Sequence, residues 1–154
     1  MGSLILQLAD LSVAAVRHGD PRQVVRNWED AESHVPYELS FPKLGVKFQF
    51  GGQRENDIIT YIFLFMQDGI ADWLHRSEGV DVYGATFRGF SGEIHLREKN
   101  CTNEFLCDPE EFILASGLFR MYRRETFILN GDPMDRRLQL EFSEDKALKR
   151  VILY

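Results

Sequence analysis

The tripeptides Gly19-Asp20-Pro21 and Cys107-Asp108-Pro109 stand at the start of two similar patterns in this sequence. In each, an aspartate suited to capping a helix precedes a proline, which is favoured at the first helical position because no amide donor is needed there. A short amphipathic run follows each tripeptide, and three strand-like runs follow that. The chain therefore predicts a duplicated unit of one helix and three strands, in the order α-β-β-β.

The predicted elements fill most of the chain. In the first unit they are one helix and three strands, at Arg22–Ala31, Tyr37–Phe41, Gly45–Phe50 and Ile58–Met66. In the second unit they are again one helix and three strands, at Glu110–Ser116, Glu125–Asn130, Arg137–Ser143 and Ala147–Tyr154. Extended segments at Leu11–Arg17 and Phe87–Leu96 lead into the two units.

The predicted fold class is α+β, with two tandem α-β-β-β units that form antiparallel sheet and short helices packed on one face. Residues 1–66 make the first unit with its N-terminal strand, residues 67–90 connect the units, and residues 91–154 make the second. Each unit alone is too small to bury its apolar face, so we expect one compact pseudo-duplicated domain.

Apolar and polar residues alternate along the middle strand of each unit, with a period of two. Val46, Phe48 and Phe50 alternate with Lys47 and Gln49, and Leu138–Phe142 repeats the pattern. This period is typical of strands with opposite faces in different environments. It predicts a sheet with one dry face and one wet face.

The third strand of each unit lacks this alternation. Ile58–Phe65 is apolar on both faces, and Arg150–Tyr154 is nearly so. A central strand covered on both sides has this composition, and so does a strand whose outer face receives a partner. For Tyr61, Phe63 and Phe65 both interpretations remain open at this point.

Composition limits the classes of function. The 154 residues are 44% hydrophobic and 27% charged, which predicts a globular chain. Lys and Arg number 18 against 24 Asp and Glu, a net charge of -6, which argues against a nucleic-acid binder that relies on counterion release. A basic protein partner suits this charge better, although moderate acidity also serves solubility alone.

Targeting and redox signals are few. The N-terminus lacks the basic region of a secretory signal, and Ile58–Met66 is far shorter than the roughly 20 residues of a membrane helix. We therefore expect a cytoplasmic chain without a membrane partner. Cys101 and Cys107 are expected to be two free thiols, with one small disulfide loop as the alternative.

Catalytic patterns are incomplete throughout the sequence. Gly89–Glu93 approaches a nucleophile elbow, but Glu93 occupies the place of its second glycine. His95 stands without catalytic neighbours in the sequence, and neither a phosphate-binding glycine loop nor a metal-ligand spacing is present. The sequence therefore predicts a non-enzymatic protein without a metal or other cofactor.

The order of elements resembles a known family. After each tripeptide and helix come the strand sequences Gly45–Phe50 and Leu138–Ser143, and the chain ends in Leu148–Tyr154. This pattern resembles tandem modules of the β-lactamase-inhibitor-protein type, and the single module looks like that of small lipoproteins of bacterial outer-membrane assembly. Two such modules are also similar to bacterial immunity proteins. The resemblance implies a protein that neutralises a toxin made by the same cell.

We expect such a protein to occlude its toxin or effector with a concave sheet that carries aromatic anchors ringed by carboxylates. The predicted partner-binding residues are the outward strand positions Lys47, Gln49, Tyr61, Phe63, Gln139, Glu141, Ile152 and Tyr154, with Glu144 and Asp145 in an acidic turn at the rim.

Two other classes of function remain. The first is a structural adaptor that uses an apolar patch in a permanent assembly. The second is a small hydrolase or ligand-binding module with a pocket near His95, Cys101 and Cys107.

Overall fold

The structure is a computed structural model that describes residues 4–51, 58–117, 119–123, 126–129 and 138–154. In chain order its elements are β1 Ile5–Gln7, β2 Ser12–Val13, α1 Gln23–Arg26, β3 Glu38–Phe41, β4 Val46–Gly51, β5 Ile58–Phe65, β6 Ile70–Ser77, β7 Val80–Phe87, β8 Glu93–Leu96, β9 Lys99–Asn100, α2 Thr102–Cys107, α3 Pro109–Ser116, β10 Phe119–Arg123, β11 Thr126–Leu129, β12 Leu138–Phe142 and β13 Leu148–Leu153.

A seven-stranded antiparallel sheet dominates the molecule, with strand order β10-β11-β12-β13-β5-β4-β3. The strands β13 and β5 are neighbours, with Ile152 opposite Phe63 and Val151 opposite Leu64. The last strand of the chain therefore joins the strands of both halves into one sheet. The predicted antiparallel sheet with a few short helices is confirmed.

The main core is an apolar cluster on the inner face of this sheet, and a smaller cluster of Phe65, Ala85 and Phe87 lies apart from it. The main core brings together the inward side chains of β3, β4, β5, β12 and β13 with residues of a small second sheet and of the helices. Its fully buried members include Phe41, Phe48, Ile62, Leu64, Leu138, Leu140, Val151, Leu6, Ile94, Phe105 and Ile113. Because both halves of the chain supply members, neither half has a separate core among the described residues.

The second sheet has the order β2-β1-β8-β9, and β1 runs parallel to β8 with Leu6 opposite Ile94. This contact was not predicted, and the predicted extended segment Leu11–Arg17 is mostly wrong. Only Ser12–Val13 is a strand, while Leu11, Ala14 and Ala15 have positive φ angles. Residues in that left-handed region interrupt a strand and make turns.

The helix predicted after Asp108 is confirmed. The Asp108 carboxylate accepts a hydrogen bond from the Glu111 amide at 3.2 Å, and Pro109 occupies the first turn of α3. Gly117 ends the helix in the left-handed conformation, with φ of 67°. Ile113 is fully buried on the inward side of the helix.

The helix predicted after Asp20 is largely wrong, because α1 is a single turn that begins at Gln23. The Asp20 carboxylate accepts from the Arg17 amide, and the Asp20 carbonyl accepts from the Ile59 amide at 2.9 Å. This stretch therefore runs alongside β5 instead of capping a helix. Val24 is 44% exposed, whereas Val25 is fully buried.

The connecting segment forms the hairpin of β6 and β7, with eight residues in each strand. Its turn residues Glu78 and Gly79 have φ angles of 50° and 79°, the two positive values that a type I′ hairpin turn requires. Phe87 stacks on Phe65 with ring centroids 4.1 Å apart. The hairpin thus packs on the face of the large sheet opposite the core, which we call the outer face.

None of the helices in the described ranges is long and apolar enough to cross a membrane.

Candidate functional site: the outer face of the sheet

The structure brings the predicted strand positions together on the outer face. Residues directly opposite each other in an antiparallel pair point to the same side of the sheet. The observed pairs are Lys47 with Phe63, Gln49 with Tyr61, Ile152 with Phe63, and Gln139 with Ile152. Glu141 lies opposite Arg150 in the same way, and Tyr154 stacks on Tyr61. These residues form a continuous surface across β4, β5, β13 and β12.

An aromatic row runs through the middle of this surface. The rings of Tyr154 and Tyr61 stack with centroids 5.4 Å apart, and those of Tyr61 and Phe63 stack at 5.9 Å. Tyr61 is 40% exposed, so one member of the row is open to solvent. Stacked rings of this kind lose little conformational entropy on binding, which suits a protein interface.

The prediction that this face would be wet is wrong for its central positions. Lys47 is only 4% exposed, and Glu38, Gln139 and Ile152 are also buried. The hairpin strand β6 supplies part of the cover, because Asp72 reaches the Lys47 ammonium with its carboxylate oxygens at 2.8 and 3.0 Å. A local alternation of residues contains no information about this contact.

Lys47 is the centre of a buried ionic network. Besides Asp72, its ammonium lies 3.5 Å from a carboxylate oxygen of Glu38, and that same oxygen accepts a hydrogen bond from the Gln49 amide at 2.7 Å. The ammonium also lies 4.6 Å from the centre of the Phe63 ring. Buried charges persist only when they are paired and hydrogen-bonded, as they are here.

A second network occupies the other half of the face. Arg150 donates to one carboxylate oxygen of Glu141, with distances of 2.8 Å from Nε and 2.6 Å from a terminal nitrogen. The Gln139 amide donates to the second oxygen at 2.8 Å, and the Tyr154 hydroxyl donates to Gln139 at 2.9 Å. Glu141 was predicted as an outward, partner-binding strand position, but its carboxylate holds Arg150 and is not free.

The predicted acidic turn is exposed, at Glu144 and Asp145. Hydrogen bonds from the Ser143 hydroxyl and the Ala147 amide lower the pKa of Asp145 below its usual range. The carboxylate therefore keeps its charge at mildly acidic pH. The turn lies at the end of β12 and β13, beside the network of Glu141 and Arg150.

A concavity of about 310 Å³ lies between the hairpin and the outer face, and we call it the hairpin cleft. Its lining combines aromatic and charged side chains from both elements: Lys47, Gln49, Phe63, Phe65, Ile70, Ala71, Asp72, Trp73, Lys149 and Arg150. The predicted residues Lys47, Gln49 and Phe63 are therefore part of a cleft and not of an open sheet.

Sequence reasoning missed the exposed residues of the hairpin. Trp73 is 56% exposed and Tyr83 is 50% exposed, and they are opposite each other across β6 and β7. The turn pair Glu78-Gly79, followed by the alternation of Val80, Asp81 and Val82, is the signal that would have indicated a hairpin.

The residues predicted for a hydrolase or ligand-binding pocket, His95, Cys101 and Cys107, do not line one common cavity in the described part of the chain. The His95 ring nitrogen lies 2.8 Å from Glu93, and the Cys101 thiol donates to the Ile94 carbonyl at 3.3 Å. Burial raises the pKa of Cys101, so its reactive thiolate form is disfavoured. Cys107 is a free and exposed thiol, and the concavity beside Cys101 is lined by neither His95 nor Cys107. Within the described ranges, no three side chains of His, Cys, Asp or Glu are grouped closely enough to hold a metal ion.

Comparisons of the chain with models of protein families, with curated proteins and with solved structures find no significant match.

Proposed function

We propose that this chain is a non-enzymatic protein-binding module, and that it acts as a cytoplasmic immunity protein that occludes a cognate toxin or effector. The observation that carries the proposal is the set of exposed aromatic side chains on the outer face and its hairpin, of which Trp73 also lines the hairpin cleft. Tyr61 comes from the sheet, and Trp73 and Tyr83 come from the hairpin. Tyr and Trp are the residues that most often dominate binding energy at protein interfaces.

The strand order supports the predicted architecture of two tandem units. In the order β10-β11-β12-β13-β5-β4-β3, three strands of the first half meet four of the second, and the last strands of the two halves, β5 and β13, lie next to each other. The strand β10 is an addition to the predicted three-strand pattern of the second unit. The pattern Val46-Lys47-Phe48-Gln49-Phe50 also matches Leu138-Gln139-Leu140-Glu141-Phe142 in the alternation of apolar and polar residues. A pseudo-duplicated sheet of this kind agrees with the resemblance to tandem inhibitor modules.

The negative charge of the chain supports a basic partner, but fewer carboxylates are free to attract it than the sequence suggested. The carboxylates of Glu38 and Glu141 are engaged by Lys47 and Arg150, so they add little to the field at the surface. The net charge of -6 and the exposed Glu144 and Asp145 remain to attract a basic effector. Attraction of this type accelerates association more than it strengthens the final complex.

The test uses the purified chain and the product of the neighbouring gene. We expect a complex, and we expect Tyr61→Ala and Trp73→Ala each to weaken it by about fivefold or more, because truncating an aromatic anchor costs above ~1 kcal/mol. Leu114→Ala is the matched control, since Leu114 is a 66% exposed apolar residue on helix α3. Equal affinities of all three variants would show that the outer face is not the interface.

Salt dependence separates the immunity protein from the structural adaptor. A complex steered by charge associates markedly more slowly as the salt concentration rises, because exposed charges are screened over about 8 Å at physiological salt. A permanent apolar complex keeps its association rate. The variant Glu144→Lys tests the same point without disturbing Arg150, which Glu141→Lys would do.

A further inference from the structure

The hairpin cleft contains more positive charge than an acidic protein would be expected to place there. Three of its lining side chains are cationic, namely Lys47, Lys149 and Arg150, whereas Asp72 is the single carboxylate among the lining residues that the structure describes. The chain as a whole has a net charge of -6. The cleft is therefore a local departure from the charge of the molecule.

Two of the three cations keep donors for a ligand. The Lys47 ammonium is already surrounded by Asp72 and Glu38. Arg150 gives Nε and one terminal nitrogen to Glu141, so N–H groups of its other terminal nitrogen remain. Lys149 is exposed and forms no ion pair with any residue in the described ranges. Adjacent residues of a regular strand point to opposite faces, but the register between β12 and β13 shifts at Lys149, and both Lys149 and Arg150 line the cleft. Because the two residues are neighbours in the chain, these donors lie at one side of the cleft.

The remaining walls are aromatic and apolar. Phe63 and Phe65 come from the sheet, and Trp73 and Ile70 come from the hairpin. Trp73 is more than half exposed, so a large part of its ring surface is available for contact. A volume of about 310 Å³ is at the lower end of the range of small-molecule sites, which limits the ligand to one ring system with an attached group.

We propose that the hairpin cleft binds a small anion that carries a flat ring, with its carboxylate or phosphate at Lys149 and Arg150 and its ring against Trp73. This inference goes beyond the proposed function and does not depend on it. A guanidinium and an ammonium at one side of the cleft supply the charge-assisted hydrogen bonds that carboxylates and phosphates accept. An indole ring supplies the stacking surface for a planar group.

The test uses calorimetric titration of the full chain with two anions and their neutral counterparts. Indole-3-propionate carries a carboxylate and adenosine monophosphate carries a phosphate, whereas indole-3-propanol and adenosine present the same rings without charge. We expect saturable binding of at least one anion, with its neutral counterpart bound about tenfold more weakly. Because the two rings differ, the anion with the larger gain over its own neutral counterpart identifies the anionic group that the cleft prefers.

Two lysine variants locate the site. Lys149→Gln should weaken the preferred anion about fivefold or more, whereas Lys146→Gln should leave it unchanged, because Lys146 is an exposed turn residue outside the lining. Trp73→Ala should weaken the anion and its neutral counterpart together. The proposal is overturned by no saturation with either anion up to about 10 mM, by equal binding of charged and neutral rings, or by equal effects of the two lysine variants. Because no protein partner is needed, these results do not bear on the immunity function.

Discussion

Lys47 is the residue on which the outer face depends most, because its ammonium is buried against the carboxylates of Asp72 and Glu38. Replacing it by methionine keeps most of its volume but leaves two buried carboxylates without a cation. We expect Lys47→Met to lower the free energy of unfolding by about 3–5 kcal/mol, the usual cost of breaking a buried ion pair from one side. Urea denaturation monitored by circular dichroism measures this change.

Lys43→Met is the matched control, because it removes a lysine from an ion pair that is exposed instead of buried. Lys43 also pairs with a carboxylate, that of Asp30 at 3.6 Å, but both side chains are mostly exposed. Solvent screens such a pair, so we expect the free energy of unfolding to change by less than about 1 kcal/mol. Similar urea midpoints for Lys43→Met and Lys47→Met would contradict the burial that the structure assigns to Lys47.

At the scale of elements, the attachment of the β6–β7 hairpin to the sheet depends on a close approach at Gly45. A Cβ atom there would lie 2.6 Å from the Arg88 carbonyl oxygen and 2.7 Å from the Phe90 nitrogen, and the φ angle of Gly45 is +72°. Both the clash with backbone and the left-handed conformation oppose a side chain. We expect Gly45→Ala to lower the free energy of unfolding by roughly 2–5 kcal/mol, measured by urea denaturation.

A substitution at Gly69 separates the cost of the steric clash from the cost of the left-handed conformation. Its φ angle of +80° is similar, but a Cβ atom added there would meet nothing within 4 Å. Gly69→Ala should therefore show the conformational cost alone, about 1–2 kcal/mol. If Gly69→Ala is as destabilising as Gly45→Ala, then the contact between Gly45 and the returning chain does not hold the hairpin in place.

At the scale of the whole molecule, the elements that could be predicted are those whose signal is local. The alternation in Val46–Phe50 and Leu138–Phe142 fixed the strands and the face of each side chain, so the residues of the outer face were found together. The helix predicted after Asp20 is largely wrong because the Asp20 carbonyl accepts a hydrogen bond from the Ile59 amide, 39 positions away in the chain. The burial of Lys47 depends in the same way on Asp72, 25 positions away. Contacts between distant segments determine both features, and local sequence patterns contain no signal for such contacts.

The shared core makes a prediction about the unfolding of the whole chain. Trp28 packs on Phe41 and Phe48 in the first half, with ring centroids 5.3 and 5.4 Å away, and Cys101 is buried in the same apolar cluster from the second half. If the cluster opens as one unit, both sites become accessible together. We therefore expect Trp28 fluorescence and Cys101 labelling to report the same urea midpoint.

The measurement uses a chain with Trp73→Phe and Cys107→Ser, so that Trp28 is the one tryptophan and Cys101 is the one thiol. Brief labelling with a thiol reagent at each urea concentration gives the accessible fraction of Cys101, and fluorescence gives the transition at Trp28. Two separate midpoints would mean that the halves unfold independently, although β5 and β13 are adjacent in one sheet. A common midpoint would mean that the hydrogen bonds between these two strands and the cluster beneath them couple the halves, and that the outer face keeps its shape until the whole molecule unfolds.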